Sequence, residues 1–296
     1  MIQNPTLKST MKAWLYILPM MLIIFTFNLY PIVKSFAMSF YTDYNFYDDV
    51  VLAYGLGNFT TILQDSDFYL AIKNTFIFVL GVVPISIALS LGIALLLNQI
   101  KFLSGFFRTV YFLPFVTSTV AISLVWNWLY HRNYGLMNYF LGWFGIEPIH
   151  WITDPDYSML ALVIMAVWKG LGFNIILFLV GLNNIDETYY KAAKVDGATG
   201  FNRFWNITLP LLGPTLFLVS VLGVINSFKV FDEVYALFQA KPGPAKSTLT
   251  IVYYLYEKFY TEYQYGIAAA AGVVLFVIIL AVTLIQFAYN KKFVHY

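Results

Sequence analysis

Two long apolar segments of this chain are separated by the polar stretch YKAAKVDGA, Tyr190–Ala198, which is followed by ITLP, Ile207–Pro210. Asp186 precedes the stretch and is of a type that caps helix N-termini, so we expect a short helix over Glu187–Val195. Gly197 supplies the backbone freedom that ends such a helix. The residue types leave two interpretations open: a low-profile helix that docks into a partner, or an amphipathic hairpin on a membrane surface.

The residues that follow Ala198 predict a short turn and then the start of the next apolar segment. Thr199 can cap a second short turn over Phe201–Trp205. Pro210 lies near the first turn of the next apolar segment, where proline is tolerated because that N–H has no helical partner.

The composition indicates a membrane protein. Of 296 residues, 60% are hydrophobic and 11% are charged, whereas a soluble domain carries about 25% charged residues. The chain has no cysteine, which excludes a disulfide framework and thiol chemistry. The bilayer is therefore the expected solvent for most of the surface.

Six apolar segments are long enough to cross a bilayer, which takes about 20 mostly apolar residues. They are Ala13–Ile32, Asn74–Leu97, Thr109–Trp128, Ser158–Val180, Ile207–Phe228 and Gly266–Tyr289. We predict an all-α membrane protein with one domain over residues 1–296, a leading helix at about 12–33 and a core at about 70–290. The leading helix is expected to stay uncleaved because its apolar run is too long for a signal peptide.

The distribution of lysine and arginine predicts the orientation. With a cytoplasmic N-terminus, nine basic residues fall in short inner segments and seven in much longer outer loops. Basic residues concentrate on the cytoplasmic side of membrane proteins. We therefore expect both termini, and the polar loop that contains Tyr190–Ala198, on the cytoplasmic side of a bacterial or archaeal cell membrane.

The sequence offers little for catalysis. The phosphate-binding pattern G-x-x-x-x-G-K-[ST] is missing, and the three histidines, His131, His150 and His295, are isolated from one another. We expect no enzyme activity, no metal site and no cofactor in this chain. An ion-coupled carrier is the alternative transport class, although the six predicted spans contain no acidic residue of the kind that such carriers use.

The polar loop resembles the EAA loop of ABC-importer permeases of the binding-protein-dependent carbohydrate uptake family, the maltose, multiple-sugar and glycerol-phosphate type, first of the two permeases. That loop has the form E-A-A-x-x-D-G-A, followed by I-x-L-P. The matching residues here are Ala192, Ala193, Asp196, Gly197, Ala198, Ile207, Leu209 and Pro210, with Lys191 in the place of the glutamate. Softer matches, such as Arg108–Pro114 and Phe228–Tyr235, extend the resemblance over most of the chain.

The resemblance implies a type I importer fold with a cytoplasmic coupling helix that binds an ATPase. The implied coupling residues are Lys191, Ala192, Ala193, Asp196, Gly197 and Ala198. The implied partners are a second, homologous permease, two cytoplasmic ATPase subunits that hold ATP and magnesium, and an extracytoplasmic solute-binding protein. The implied cargo is a sugar or oligosaccharide, with an anionic sugar or a glycerol-phosphate compound as the alternative.

The resemblance also implies a sugar site on the fourth and fifth spans. The candidates are Trp168, Lys169, Gly170, Phe173, Asn174, Asn226 and Lys229. Aromatic faces can cover the C–H patches of a sugar ring, and amides can pair with its hydroxyls. Helix packing for Trp168 and helix–helix hydrogen bonding for Asn226 remain alternative roles.

Lys169 is the charged residue that stands out in the spans. A charge at the bilayer centre costs about 2.5–3.5 kcal/mol on insertion scales. No carboxylate of this chain is apparent at the same depth in the sequence. We therefore expect Lys169 to face either a carboxylate of the second permease or the cargo in a water-filled cavity.

Overall fold

The computed structural model describes residues 7–45, 48–100 and 104–293, and these are predominantly helical. Lys101, one of the nine basic residues assigned to the inner segments, and His295 lie outside the described residues. The helices and strands, in chain order, are α1 (Leu7–Ile24), α2 (Tyr30–Met38), β1 (Tyr41–Asn45), β2 (Val50–Tyr54), α3 (Gly57–Ile62), α4 (Ser66–Gln99), α5 (Ser104–Val116), α6 (Thr119–Leu129), α7 (Leu136–Gly142), α8 (Pro155–Asn183), α9 (Glu187–Val195), α10 (Gly200–Arg203), α11 (Leu209–Leu211), α12 (Gly213–Phe228), α13 (Asp232–Leu237), α14 (Ile251–Tyr256) and α15 (Tyr265–Phe293). Short π-helical stretches occupy Phe25–Leu29, Phe204–Thr208 and Glu257–Thr261, and a 3-10 turn occupies Pro244–Lys246.

The predicted membrane spans are present, two of them in a bent form. Among the described residues, four helices are long and apolar enough to cross a membrane, and the number rises to six if each of two bent helix pairs forms one span. The four are Met11–Met38, Ser66–Gln99, Pro155–Asn183 and Tyr265–Asn290. The all-α prediction is confirmed apart from a small antiparallel hairpin, in which β1 pairs with β2.

The predicted third span, Thr109–Trp128, is wrong as a continuous helix. The chain breaks between α5 and α6 with a bend of 98°. The break lies at Ser118, which has an extended backbone with ψ 131°. The preceding turn contains Pro114, which has no N–H to donate. Just after the C-terminal end of α5, the hydroxyl of Thr117 donates to the carbonyl of Leu113 at 2.7 Å.

The predicted fifth span, Ile207–Phe228, is bent as well. Two helical pieces, Gly200–Leu211 and Gly213–Phe228, meet at an angle of 65°. Pro210 and Pro214 are four residues apart on the two sides of the bend. Because a proline cannot donate to the carbonyl one turn earlier and its ring clashes there, this spacing favours a kink.

The contacts between residues divide the chain into two compact units. The smaller unit contains the described residues up to Asp65 together with Leu255–Val274, and the larger unit contains Ser66–Tyr254 and the described residues from Leu275 onward. In the smaller unit the buried amide of Asn58 donates to the carbonyls of Ser39 and Tyr41, at 3.0 and 2.9 Å, which fastens α3 to the start of the hairpin.

In the larger unit α4 packs against α8 and α12, and α8 packs against α5. The buried apolar residues of this core come from three helices and the bend before α12. They are Leu91, Ala94, Leu97, Ile175, Phe178, Leu179, Leu182, Leu212 and Val219. The core therefore lies toward the C-terminal ends of α4 and α8, next to the polar loop.

Gly172 is the point of closest approach between α8 and α5. A Cβ atom built at Gly172 would lie 2.0 Å from the carbonyl oxygen of Tyr111, which belongs to the backbone and cannot rotate away. Small residues allow membrane helices to approach in this way. The α5–α8 contact thus depends on the missing side chain.

We expect Gly172→Ala to destabilise the protein by about 1–3 kcal/mol, because α5 must shift to accept the new methyl group. The matched control is Gly92→Ala in α4, where a Cβ atom would meet nothing within 4 Å. Melting temperatures of the two variants in detergent test the contact. Equal melting temperatures for Gly172→Ala, Gly92→Ala and the unmodified protein would contradict it.

Candidate functional site: a cavity in the bundle and an exposed loop helix

A cavity of about 380 Å³ opens between α4, α8 and α12 of the larger unit. Phe115 from α5 and Glu233 from α13 complete its wall. Among the residues that line it, Lys169 and Glu233 are charged, and the remaining residues are apolar or carry amide and hydroxyl groups. Pockets with an apolar wall and a few polar groups are typical of small-molecule sites.

The structure brings five of the seven predicted cargo residues together at this cavity. Lys169, Gly170, Phe173 and Asn174 line it from α8, and Asn226 lines it from α12 with an exposed side chain. Phe173 stacks on Phe115 with ring centroids 4.9 Å apart and planes at 18°. The stacked pair offers a flat aromatic surface beside the amides.

The other two predicted cargo residues lie elsewhere. Trp168 is half exposed, and its ring packs edge-on against Trp126 at 5.6 Å. Lys229 is the exposed residue at the C-terminal end of α12. Neither is among the residues that line the cavity.

The expectation that Lys169 has no carboxylate at its depth within this chain is wrong. The Nζ atom of Lys169 donates to the Oε1 atom of Glu233 at 2.8 Å and to the hydroxyl of Thr119 at 2.6 Å. The chain turns back after α12, and α13 contacts α6 and α8. This return places Glu233 beside the middle of α8, although it follows the predicted fifth span in sequence.

Glu233 and Thr119 are the functional candidates that sequence reasoning missed. Glu233 lies in Val230–Tyr265, which is too polar to cross a membrane, so the sequence alone indicates an outer loop. The available signal was the lysine itself, since a charged residue inside a span is expected to have a partner. Choosing among the acidic residues of the loops requires the tertiary fold.

The predicted loop helix is present with the predicted bounds, Glu187–Val195. Asp186 caps it by accepting from the backbone N–H of Thr188 at 2.8 Å. The hydroxyl of Thr188 donates to the same carboxylate, and these two hydrogen bonds hold the pKa of Asp186 below its usual range. The cap is therefore charged at neutral pH, where it complements the positive end of the helix dipole.

The helix ends in a Schellman motif centred on Gly197. The N–H of Ala198 donates to the carbonyl of Ala193 at 2.8 Å, and the N–H of Gly197 donates to that of Lys194 at 3.2 Å. Gly197 has φ +75°, in the left-handed region that favours glycine. Thr199 then caps α10, with its hydroxyl accepting from the N–H of Asn202 at 3.3 Å.

The loop presents an exposed surface. Lys191, Ala192 and Asp196 are exposed, Ala198 is half-buried, and Ala193 is buried on the opposite side. Lys191 forms an i,i+4 ion pair with Glu187 at 2.9 Å, and this pairing raises the pKa of Lys191. Large apolar residues of the same region are also exposed, namely Val195, Phe201 and Trp205. We call this surface the loop face, defined by Lys191, Ala192, Val195, Phe201 and Trp205.

We expect Gly197→Val to impair assembly with a protein that docks on the loop face while membrane insertion stays normal. No atom lies within 4 Å of a Cβ built at Gly197, so the backbone conformation is the obstacle. A β-branched residue in the left-handed region costs about 1–2 kcal/mol. Gly197→Asn is the matched control, because asparagine tolerates that region. Equal complex yields for the valine and asparagine variants would contradict the role of the turn.

A second cavity, of about 570 Å³, lies in the larger unit among residues of the predicted outer loops. Aromatic and basic side chains line it, including Trp151, His131, Arg132, His150 and Lys241. The amide of Asn138 supports one wall by accepting from the Trp151 indole N–H at 2.9 Å. Among the residues that the structure describes, no group of three or more His, Cys, Asp or Glu residues is placed to hold a metal ion.

Several apolar spans, a cavity between them and an exposed loop helix are features that a membrane transport protein requires. Residues 85–295 match the family described as binding-protein-dependent transport system inner membrane component, and the chain belongs to that family. It is therefore a multi-pass permease component of the ABC-importer class.

Named relatives and solved structures agree with this assignment. The lactose transport system permease protein LacF of Rhizobium radiobacter is 36% identical, with 95% of each chain covered. The trehalose/maltose transport system permease protein MalF of Thermococcus litoralis is 32% identical over 92% of this chain and 91% of its own. A bacterial ABC transporter that imports the acidic polysaccharide alginate has a chain with a TM-score of 0.82 and 25% identity, covering 97% of this chain and 98% of that chain. The same kind of transporter was solved with an alginate pentasaccharide-bound periplasmic protein.

Proposed function

We propose that this chain is the permease subunit of an ATP-driven, solute-binding-protein-dependent importer of sugars or oligosaccharides. The observation that carries the proposal is that one helix serves both candidate sites. Helix α8 lines the cavity with Lys169 and Asn174 and ends at Asn183, directly before the loop helix α9. Named relatives that carry lactose, trehalose or maltose support a saccharide as the cargo.

The energy for transport comes from separate ATPase subunits in this proposal. The chain lacks the phosphate-binding pattern, so ATP and magnesium are held by partners. Two ATPase subunits dock on the importer, one of them on the loop face of this chain. The exposed rings of Phe201 and Trp205 and the small, exposed side chain of Ala192 suit a shallow, partly apolar contact.

Two further partners complete the assembly in this proposal. A second, homologous permease packs against this chain and closes the other half of the transport pathway. A solute-binding protein delivers cargo to the outer side, where the larger cavity with Arg132 and Lys241 opens. Part of the apolar surface exposed on the spans then contacts the second permease, and the rest contacts lipid.

Reconstitution tests this function. In proteoliposomes that contain both permeases and the ATPases, with the binding protein on the outer side, we expect uptake of radiolabelled neutral saccharides that requires ATP and the binding protein. The chain purified alone should hydrolyse no ATP. Uptake that persists without ATP and collapses with a protonophore would instead establish an ion-coupled carrier.

Single-cysteine labelling tests the proposed orientation, with both termini and the loop face in the cytoplasm. The chain has no cysteine, so each introduced thiol is labelled without background. Val195, which is 88% exposed, and Phe144, which is 80% exposed, are suitable positions on the inner and outer segments. In intact cells that produce this chain without its ATPase partners, a membrane-impermeant maleimide should label Phe144→Cys, and it should label Val195→Cys only after permeabilisation. The reverse pattern would invert the topology.

A further inference from the structure

The cavity contains a closed ion pair rather than a free cation. Lys169 Nζ lies 2.8 Å from Glu233 Oε1, and the Thr119 hydroxyl accepts a second hydrogen bond from the same ammonium at 2.6 Å. The two charged side chains are 16% and 21% exposed, so each is mostly removed from solvent yet reaches the cavity surface. The ammonium thus has an opposite charge and a neutral acceptor before any cargo arrives.

An anionic cargo would gain little binding free energy from this cavity wall. Glu233 compensates the charge of Lys169, and among the residues that line this cavity these two are the charged ones. Because the two charges lie 2.8 Å apart, repulsion by Glu233 would offset much of the attraction between Lys169 and a carboxylate or phosphate on the cargo. The anionic group would also lose its hydration without gaining an unpaired cation in this half of the pathway.

The remaining groups of the wall suit an uncharged polyol. Asn174 and Asn226 each carry amide donors and an acceptor, and Ser86 and Ser227 add hydroxyl groups. These groups can exchange hydrogen bonds with sugar hydroxyls, which both donate and accept. The stacked rings of Phe115 and Phe173 can cover the C–H face of a pyranose or furanose ring.

We propose that this permease carries uncharged saccharides, and that Lys169 acts as the counter-ion of Glu233 instead of binding an anionic group of the cargo. The inference rests on the proposed importer function and narrows its substrate class. It separates this chain from transporters of acidic polysaccharides, although the matched alginate transporter has the same fold.

A double-mutant cycle in the complete reconstituted importer tests the proposal. Lys169→Met leaves the Glu233 carboxylate unpaired, and Glu233→Gln leaves the ammonium unpaired. Each single variant leaves one uncompensated charge in the cavity wall, so each should lower uptake of a neutral saccharide probe by about tenfold or more per assembled complex. The double variant Lys169→Met/Glu233→Gln leaves no uncompensated charge in the wall, so uptake should recover to within about threefold of the unmodified importer, and the cycle isolates the interaction within the pair.

A control variant and normalised uptake separate a loss of transport from a loss of assembly. Lys73→Met removes an exposed lysine of α4 that does not line the cavity, and it should leave uptake unchanged. Uptake is normalised to the amount of assembled complex, which removes effects on folding. A double variant that assembles but transports as poorly as Lys169→Met would overturn the counter-ion role, since it would place a charge of the pair on the cargo.

The cargo panel provides a second test. The probes are radiolabelled neutral disaccharides and trisaccharides, uronate oligosaccharides of the same lengths, and glycerol 3-phosphate. Uptake confined to the neutral probes would support the proposal, and ATP-dependent uptake confined to the anionic probes would overturn it while leaving the importer function intact. ATP-independent uptake of every probe would overturn the importer function first and this inference with it.

Discussion

The ammonium of Lys169 lies halfway along α8 and requires an opposite charge, and this requirement fixes the position of Glu233. A cation at the bilayer centre costs about 2.5–3.5 kcal/mol, and removing one partner of a buried pair costs about 3–5 kcal/mol. The chain meets the requirement by returning α13 to the wall of the cavity, where the pair has an N–O distance of 2.8 Å. The hydroxyl of Thr119, at the first residue of α6, joins the same ammonium. One cation therefore holds α6, α8 and α13 together.

Non-helical backbone precedes α6, which contributes Thr119 to this pair, and follows α13, which contributes Glu233. After α13 the chain has left-handed backbone at the non-glycine residues Gln239, Ala240, Ala245 and Lys246, with φ between 49° and 59°. Such residues cost about 1–3 kcal/mol each and persist where their surroundings fix them. Here the amide of Asn74 donates to the carbonyls of Lys246 and Leu249, both at 3.1 Å, which ties the segment to α4. Irregular backbone within a span is tolerated where it is enclosed by protein or lines a cavity, and the break at Ser118, one residue before the Thr119 hydroxyl that binds Lys169, is such a case.

The features that sequence reasoning predicted correctly depend on signals within a few residues of one another. The bounds of Glu187–Val195 follow from a capping aspartate and a glycine two residues beyond the helix, and both signals act locally. The break at Ser118 was missed because Pro114 alone does not distinguish a tolerated proline from a broken span. Glu233 was missed because it is 64 residues from Lys169, and sequence periodicity contains no information on contacts at that separation. The family resemblance predicted which helices form the site, but it did not predict that Glu233 neutralises the charge of Lys169 in the cavity.

Helix α8 connects the ion pair to the loop face through continuous packing. C-terminal to Lys169, the helix buries Ile175, Phe178 and Leu182 against α4 and against Leu212 at the bend before α12. Protein interiors are densely packed, so a displacement of α9 by a docked partner cannot be absorbed locally in this core. The stiffest path leads along α8. The chain is bent near both ends of this path, at Leu212 beside the loop end of α8 and at the 98° break between α5 and α6 beside Lys169. A shift of α8 that strained the Lys169–Glu233 contact would change the wall of the cavity at the residues that face the cargo. The bent spans are therefore where two arrangements of this bundle can differ while its helices stay intact, which is the requirement for a permease that opens to one side of the membrane at a time.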